Sequence, residues 1–398
     1  MLLNQRKLLQ FLLYAGVCGW AVCTALVAID SHYYGRWVLA PLNIVLYNVF
    51  TSQGGGPALY GTAPTSYYAL NLLLNWNLVA VLALIGAFPL TLLTHWLSLQ
   101  QHHVRSREKK AAVDWPRLSA FLYVQLTLWA WLLIFAAQPH KEERFLFPVY
   151  GLLCVSAAFA LEALHRLAEK LVRSASASHT FWAGLADGLT GVILAVFILL
   201  SLSRSVALYR NYHAPFDAYM ALNERLSSSG QGELISQRLP AKVSTLNVCV
   251  GKEWYRFPSS FFLPSSLPGP GNRTVELQFI RSEFRGLLPK QYDRTGLPNS
   301  TRLIPDAMND MNREEPARYV PVAACHYLVD LASPDSTPLE PNYSELQEDW
   351  RVVSATRFLI AGRSDRLLRA FYVPFLSDMK CLFGSYNVLE RWYLADDQ

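Results

Sequence analysis

Residues Leu118–His165 read LSAFLYVQLTLWAWLLIFAAQPHKEERFLFPVYGLLCVSAAFALEALH. An apolar run is followed by a short charged turn and then by a second apolar run. The hydrocarbon of a bilayer takes about 20 helical residues. Each run therefore spans, and the turn Pro139–Arg144 connects them at the membrane surface. Three further windows are as long and as apolar: Leu8–Ile29, Tyr67–Leu97 and Phe181–Ser203. The Tyr67–Leu97 window is overlong and holds Asn71, Asn75, Asn77 and Pro89, so it is expected to tilt, kink or split. Trp37–Phe50 is too short to span, carries Pro41, Asn43 and Asn48, and reads as interfacial or re-entrant. Composition agrees: charged residues are 16% of the chain, against about 25% in soluble domains, which argues against a purely soluble enzyme and against disorder. The net charge of +5 is too small and too scattered for a nucleic-acid partner. The expected fold is a multispanning α-helical membrane protein, with residues 1–204 as the bundle and 205–398 as a C-terminal α+β lumenal domain.

Lys and Arg set the orientation. Ten lie before the first span, between the second and third, and between the fourth and fifth; the other short loops hold only Arg36, Lys141 and Arg144. The N-terminus is therefore read as cytosolic, and the 30–66 loop, the 139–144 turn and the tail as lumenal. Arg6 and Lys7 precede the first run as in a signal peptide. That run exceeds a usual core of about 7–15 residues and lacks a small-residue exit, so it is read as a retained span. The tail carries three glycosylation sequons, at Asn272, Asn299 and Asn342, on the side that the charges make lumenal.

In the tail, apolar runs are short and broken by Pro, Gly and Ser. Leu246–Val250, Glu276–Ile280, His326–Leu331 and Arg351–Ile360 read as strands, and Pro215–Ser227 and Asp365–Tyr372 as helices. Six cysteines include no C-x-x-C pair. Cys249 and Cys325 lie on or beside two strands; an oxidising lumen permits a disulfide, and two buried thiols are the alternative. His102 and His103 sit in a basic loop, and Gly54-Gly55-Gly56 lacks a P-loop lysine, so neither a metal nor a cofactor is expected.

The chemistry concentrates in one turn, where His140, Lys141, Glu142, Glu143 and Arg144 are consecutive. Ionisable groups at a membrane boundary are costly and mark function by default; a self-neutralising polar turn is the alternative. His140, Lys141 and Arg144 suit a donor phosphate at headgroup depth, with Glu142 and Glu143 supporting them. Single-displacement sugar transfer from a polyprenyl phosphate needs a base on the acceptor hydroxyl and positive charge on the leaving phosphate. His32, Tyr33 and Tyr34, at the start of the first lumenal loop, are candidates for sugar contact. Lys252, Glu253 and Arg256 are weaker candidates for its mouth.

His140 to Pro148, HKEERFLFP, resembles the H-K-E-x-R-F-x-x-P signature of glycosyltransferase family 22, multispanning mannosyltransferases of the GT-C type. Further resemblance runs through Ile29–Arg36, Ala40–Phe50, Leu59–Thr62, Ser203–Leu208, Val248–Ser260, Ser282–Gly286 and Leu367–Asp378. The resemblance implies transfer of mannose in α-1,2 linkage, in the endoplasmic reticulum lumen, from dolichyl phosphate mannose. The implied acceptors are lipid-linked oligosaccharides, the six- and eight-mannose dolichyl diphosphate intermediates, and membrane lipid surrounds the site. It also implies an acidic catalytic base in a first lumenal loop. No matching motif follows Met1, so the base is expected upstream and Asp30 is not promoted to that role. The chain is thus expected to lack its N-terminal catalytic loop. An inactive shorter isoform and a glycolipid-anchor mannosyltransferase of the same family are the alternatives. A transporter would want paired broken-helix repeats, which the hydropathy does not show.

Overall fold

The computed structural model describes residues 7–50, 56–105, 115–174, 179–269, 271, 273–290, 295–304 and 306–394. Asn272, Gly54, Gly55 and the basic residues Arg107, Lys109 and Lys110 lie outside the described residues. The chain is a multispanning helical membrane protein with an α+β domain. It divides into two units: Met1–Leu202 with Thr295–Arg302, and Ser203–Arg294 with Leu303–Gln398.

Among the described residues of the chain, five helical segments are long and apolar enough to cross a membrane. They are α1 (Leu8–Tyr34), the pair α3 (Tyr67–Val81) and α4 (Ala87–Arg105), α5 (Trp115–Ala137), α6 (Tyr150–Ser174) and α7 (His179–Tyr212). The short α2 (Ala40–Val45) occupies the stretch read as interfacial, and continues as a wider turn over Leu46–Phe50. No residue of α1 is buried by protein. A helix apolar on every face and uncovered by protein is at home only in lipid.

The overlong window kinks. Asn77 breaks helical geometry at φ 36°; its Oδ1 accepts from Leu78 N at 2.6 Å and its Nδ2 donates to Ser201 Oγ at 3.2 Å. A π turn over Leu82–Gly86 follows. Ser156 Oγ donates to the Ala83 carbonyl at 2.9 Å and accepts from Gln125 Nε2 at 2.6 Å. In hydrocarbon every polar group needs an internal partner, and this relay satisfies Ser156 and ties α5 and α6 to the π turn. Small residues let the helices approach: Ala83, Ala87, Ala157 and Ala160 are buried, and a Cβ on Gly86 would meet Ala160 at 3.7 Å.

The second unit is built on a five-stranded sheet, order β2-β1-β3-β5-β4. The strands are β1 (Thr245–Val250), β2 (Thr274–Phe279), β3 (Tyr327–Ala332), β4 (Trp350–Leu359) and β5 (Phe383–Arg391). β2, β1 and β3 are parallel, and β5 runs antiparallel between β3 and β4. Alternation sends Leu246, Val248, Val250, Tyr327, Val329 and Val388 to one face. There α8 (Ala214–Ser227) and α9 (Ser229–Arg238) cover them with Tyr219, Leu222, Leu226 and Ile235. Cys249, Leu328, Leu389 and Trp350 take the other face. Cys249 and Cys325 are joined in a disulfide.

Two expectations need correction. Asp365–Tyr372 is not a helix but a run of turns, with Asp365 Oδ1 accepting from Leu367 N and Leu368 N at 3.0 and 2.9 Å. Strand β5 and helix α9 were not foreseen.

A candidate active-site turn between α5 and α6

The turn begins where α5 stops. Gln138 and Pro139 end the helix, because a residue before proline is pushed from the α region. Residues Glu143–Val149 then form a 3-10 helix that leads into α6. Trp131 Nε1, from α5, fixes its entry by donating to Phe145 O at 2.8 Å.

A second segment lies alongside. Ala63 N donates to Pro139 O at 3.0 Å, and Lys141 Nζ donates back to Ala63 O at 3.1 Å. His140 Nδ1 meets Gly61 O at 2.8 Å. Two of the stretches that carry the family resemblance, Leu59–Thr62 and His140–Pro148, are therefore brought together. Gly61 adopts φ 105°, ψ 150°, a conformation that essentially only glycine tolerates, and this turns its carbonyl to the imidazole.

The five ionisable residues separate by environment. Glu142 is the hub: its Oε1 meets His140 Nε2 at 3.0 Å and Arg144 Nη2 at 2.9 Å, and Arg144 Nε approaches Oε2. Partial burial pushes the Glu142 carboxyl up, but hydrogen bonds from His140 and Arg144 outweigh it and hold it below the usual range. Both ring nitrogens of His140 are thus engaged, Nδ1 by Gly61 O and Nε2 by Glu142. Glu143 turns the other way, accepting from Asn75 Nδ2 at 2.8 Å and Tyr150 OH at 3.0 Å. Lys141 is buried, with its ammonium on the carbonyls of Ala63 and Gln138. Arg144 is the presented cation, its side chain 68% exposed beside a half-buried Glu142. Charge-assisted bonds to a carboxylate, with donors left over, suit a guanidinium to an incoming phosphate oxygen.

Most of the remaining candidates have partners of their own. His32, Tyr33 and Tyr34 form the last turn of α1 rather than a loop, closed by Gly35 in the left-handed region. The His32 carbonyl accepts from Arg302 at 2.7 and 3.0 Å, and the Tyr33 carbonyl from Thr301 Oγ1 at 2.7 Å. Asp30 Oδ2 accepts from Ala40 N at 2.9 Å, at the start of α2. Asn299 is exposed, at the start of α10 (Asn299–Arg302). Asn342 is engaged, with Nδ2 on Glu345 at 2.9 Å and Oδ1 taking Ser333 N at 3.1 Å. In the second unit Lys252 Nζ lies 3.4 Å from Asp330 Oδ1 and Glu253 binds Arg256; the two carboxylates are buried and the two cations half-buried. Among the described residues no group of His, Cys, Asp and Glu is arranged to hold a metal.

Sequence reasoning missed the Gly61 and Ala63 carbonyls, because backbone acceptors leave no compositional trace. Asn75 had left one, as an amide inside an apolar window.

Residues 1–264 match the profile of the Alg9-like mannosyltransferase family. The chain is 44% identical over 390 residues to the alpha-1,2-mannosyltransferase ALG9 of Mus musculus, covering 98% of this chain and 59% of that protein. It is 39% identical to the Drosophila melanogaster alpha-1,2-mannosyltransferase Alg9, over 98% of this chain and 58% of that one. Against the Saccharomyces cerevisiae alpha-1,2-mannosyltransferase ALG9 the identity is 34%, over 88% and 53%. The chain thus spans somewhat over half the length of these curated relatives. No solved structure matches it.

Proposed function

The chain belongs to the Alg9-like mannosyltransferase family, and from that premise we propose that it works in α-1,2-mannosyl transfer at the lumenal face of the endoplasmic reticulum membrane. The donor is dolichyl phosphate mannose, and the acceptor is a dolichyl-diphosphate-linked oligosaccharide at its six- and eight-mannose stages. His140, Lys141 and Arg144 form the donor-phosphate site, with Glu142 and Glu143 in support. The observation that carries this reading is the turn itself: the family signature folds into a carboxylate-centred cluster that presents Arg144 between two spans.

The roles divide by contact. Arg144 meets the phosphate and stabilises the charge that builds on it as the glycosidic bond breaks. Glu142 holds His140 and Arg144 in place. Lys141 fixes the turn against Ala63 and adds positive potential beneath it. Glu142 and Glu143 are both engaged by partners, which supports positioning roles for them.

Sidedness has its own support. The end of α1 bonds to Thr301 and Arg302, which follow α7, so both belong on one side. Four crossings between them, α3–α4 to α7, meet that requirement. The Cys249–Cys325 disulfide fits an oxidising lumen.

The test is lipid-linked oligosaccharide profiling in cells lacking the α-1,2-mannosyltransferase, supplied with the full-length protein or its Arg144→Ala variant. Clearance of the six- and eight-mannose species by wild type, and their accumulation with the variant at matched expression, is the expected result. Equal clearance would remove Arg144 from the site; accumulation of neither species in the parental cells would remove the acceptor assignment.

A further inference from the structure

We infer that the segment Leu367–Met379 is a membrane-interface anchor, which inserts its apolar side chains among the phospholipids of the bilayer that α7 crosses. The inference is independent of the transferase reading.

The segment is tied to the C-terminal turns of α7, from Ser203 to Asn211. Tyr372 N donates to Ser203 O at 3.1 Å, and Ser203 Oγ donates to Tyr372 O at 2.9 Å. Arg204 Nη1 reaches Ala370 O at 3.2 Å, and Asn211 Nδ2 reaches Arg369 O at 3.0 Å. Arg210 lies over the Tyr372 ring at 4.5 Å and pairs with Asp378 at 3.1 Å. Along α7, Asp187 is followed by sixteen uncharged residues that end at Arg204. Arg204 and Arg210 therefore mark headgroup depth, and the bonds to Ser203 and Arg204 hold the segment there.

What it displays is unlike a soluble surface. Phe375 is 81% exposed, Leu367 70% and Met379 68%, with Val373 and Leu376 also exposed. Phe375 sits at φ 65°, just before α11 (Leu376–Lys380), a conformation unfavourable for a bulky side chain. The backbone around it is over-determined: Ser377 Oγ takes Val373 N at 2.9 Å and gives to Leu368 O at 3.1 Å, while Met379 N bonds Phe375 O at 3.1 Å. The strain thus holds an aromatic ring outward. Exposed Arg366 and Lys380 flank the apolar side chains and suit lipid phosphates. Apolar rings and chains amid cations, fixed at a span's charged end, match an interfacial anchor.

The test uses the full chain with Cys18, Cys23 and Cys154 changed to Ser, in phosphatidylcholine nanodiscs. A nitroxide is placed by Met379→Cys, with Leu367→Cys as an independent reporter. Val352→Cys is the control; it is exposed and lies five residues, about 17 Å at strand rise, along β4 from Arg357, which pairs with Asp378 of the segment at 3.3 Å. Retention of the Cys249–Cys325 disulfide and a single chromatographic species qualify each variant. Oxygen collisions several-fold above those of a water-soluble nickel chelate at 379 and 367, with the reverse at 352, are expected. Chelate access at 379 and 367 equal to that at 352 would overturn the anchor. So would low access to both probes, which would mean that protein, a second copy or another chain, covers the segment.

Discussion

At Lys141 and Arg144, neighbours in one turn, the same formal charge has opposite surroundings. Lys141 is buried on two carbonyls, so Lys141→Ala should act first on stability, since each orphaned buried acceptor costs about 1–3 kcal/mol. Thermal unfolding in detergent reads that loss. Arg144 is exposed; Arg144→Ala should leave unfolding unchanged and lower turnover at least about tenfold, roughly 1.4 kcal/mol in the transition state. Arg144→Lys should recover only part, because the ammonium lacks the planar fork. Gly61→Ala should destabilise by about 1–3 kcal/mol through φ alone, since nothing stands within 4 Å of the added Cβ. A neutral Gly61→Ala in the same unfolding assay would mean that its backbone is not held as described. The charged residues of this site were legible because five polar residues in succession are expensive at a membrane boundary. Their separation into a buried lysine and a presented arginine was not, because it depends on the Ala63 carbonyl, 78 residues away in sequence.

Among the elements, the strand that sequence reasoning missed, β5, is an interior one between β3 and β4. β5 carries Asn387 and Glu390, both fully enclosed, in place of the β-branched run that would have advertised a buried strand. Glu390 is satisfied by Arg225 of α8 at 2.8 and 2.9 Å, and by Tyr327 of β3. Glu390→Ala should therefore cost about 3–5 kcal/mol by leaving Arg225 uncompensated, read as a lowered unfolding midpoint. α9 escaped notice because of its two glycines; Gly232 is there because a Cβ would lie 2.3 Å from Leu226 O. β1 to β4 were legible from alternation and flanking breaks.

The sheet also carries two titrating groups of opposite effect. Burial, then the charge of Arg391, pushes His326 down to about 4; its Nδ1 accepts from Asn247 N at 2.9 Å. Unfolded, it takes a proton near 6.5, so its contribution is whole above that pH and lost as pH falls toward 4. Burial pushes Asp330 up to about 7, against the opposing charge of Lys252. Its contribution is whole below about 3.8 and lost as pH rises through 7. Between about pH 4 and 6.5 the slopes oppose. Asp330→Asn should expose that of His326, a loss of about 1.4 kcal/mol per unit of acidification. Denaturant titrations across that window check it; a slope matching wild type would reject the pairing.

On the scale of the whole molecule, the spans were legible because about 20 uncharged apolar residues have few alternatives. The backbone adds what hydropathy could not: the long second window stays helical through Ser98 and kinks at Asn77, and Ser156 donates to Ala83 O beyond the kink. The proposed topology, cytosolic N-terminus and lumenal tail, predicts that protease added outside sealed microsomes leaves the tail intact. Asn299→Gln should speed gel migration if that exposed site is used, whereas Asn342, already bonded on both amide atoms, should be modified less.

The end of α1 has a consequence in time. Its final carbonyls are capped by Arg302, which is 270 residues further along the chain. A ribosome adding about 5–20 residues per second needs roughly 14–54 s to make that length. Throughout that interval α1 is already synthesised and the cap does not yet exist, so His32 and Tyr33 must be hydrated. The first helix is obliged to stop where water reaches it, and its depth is set long before the residues that lock it are born.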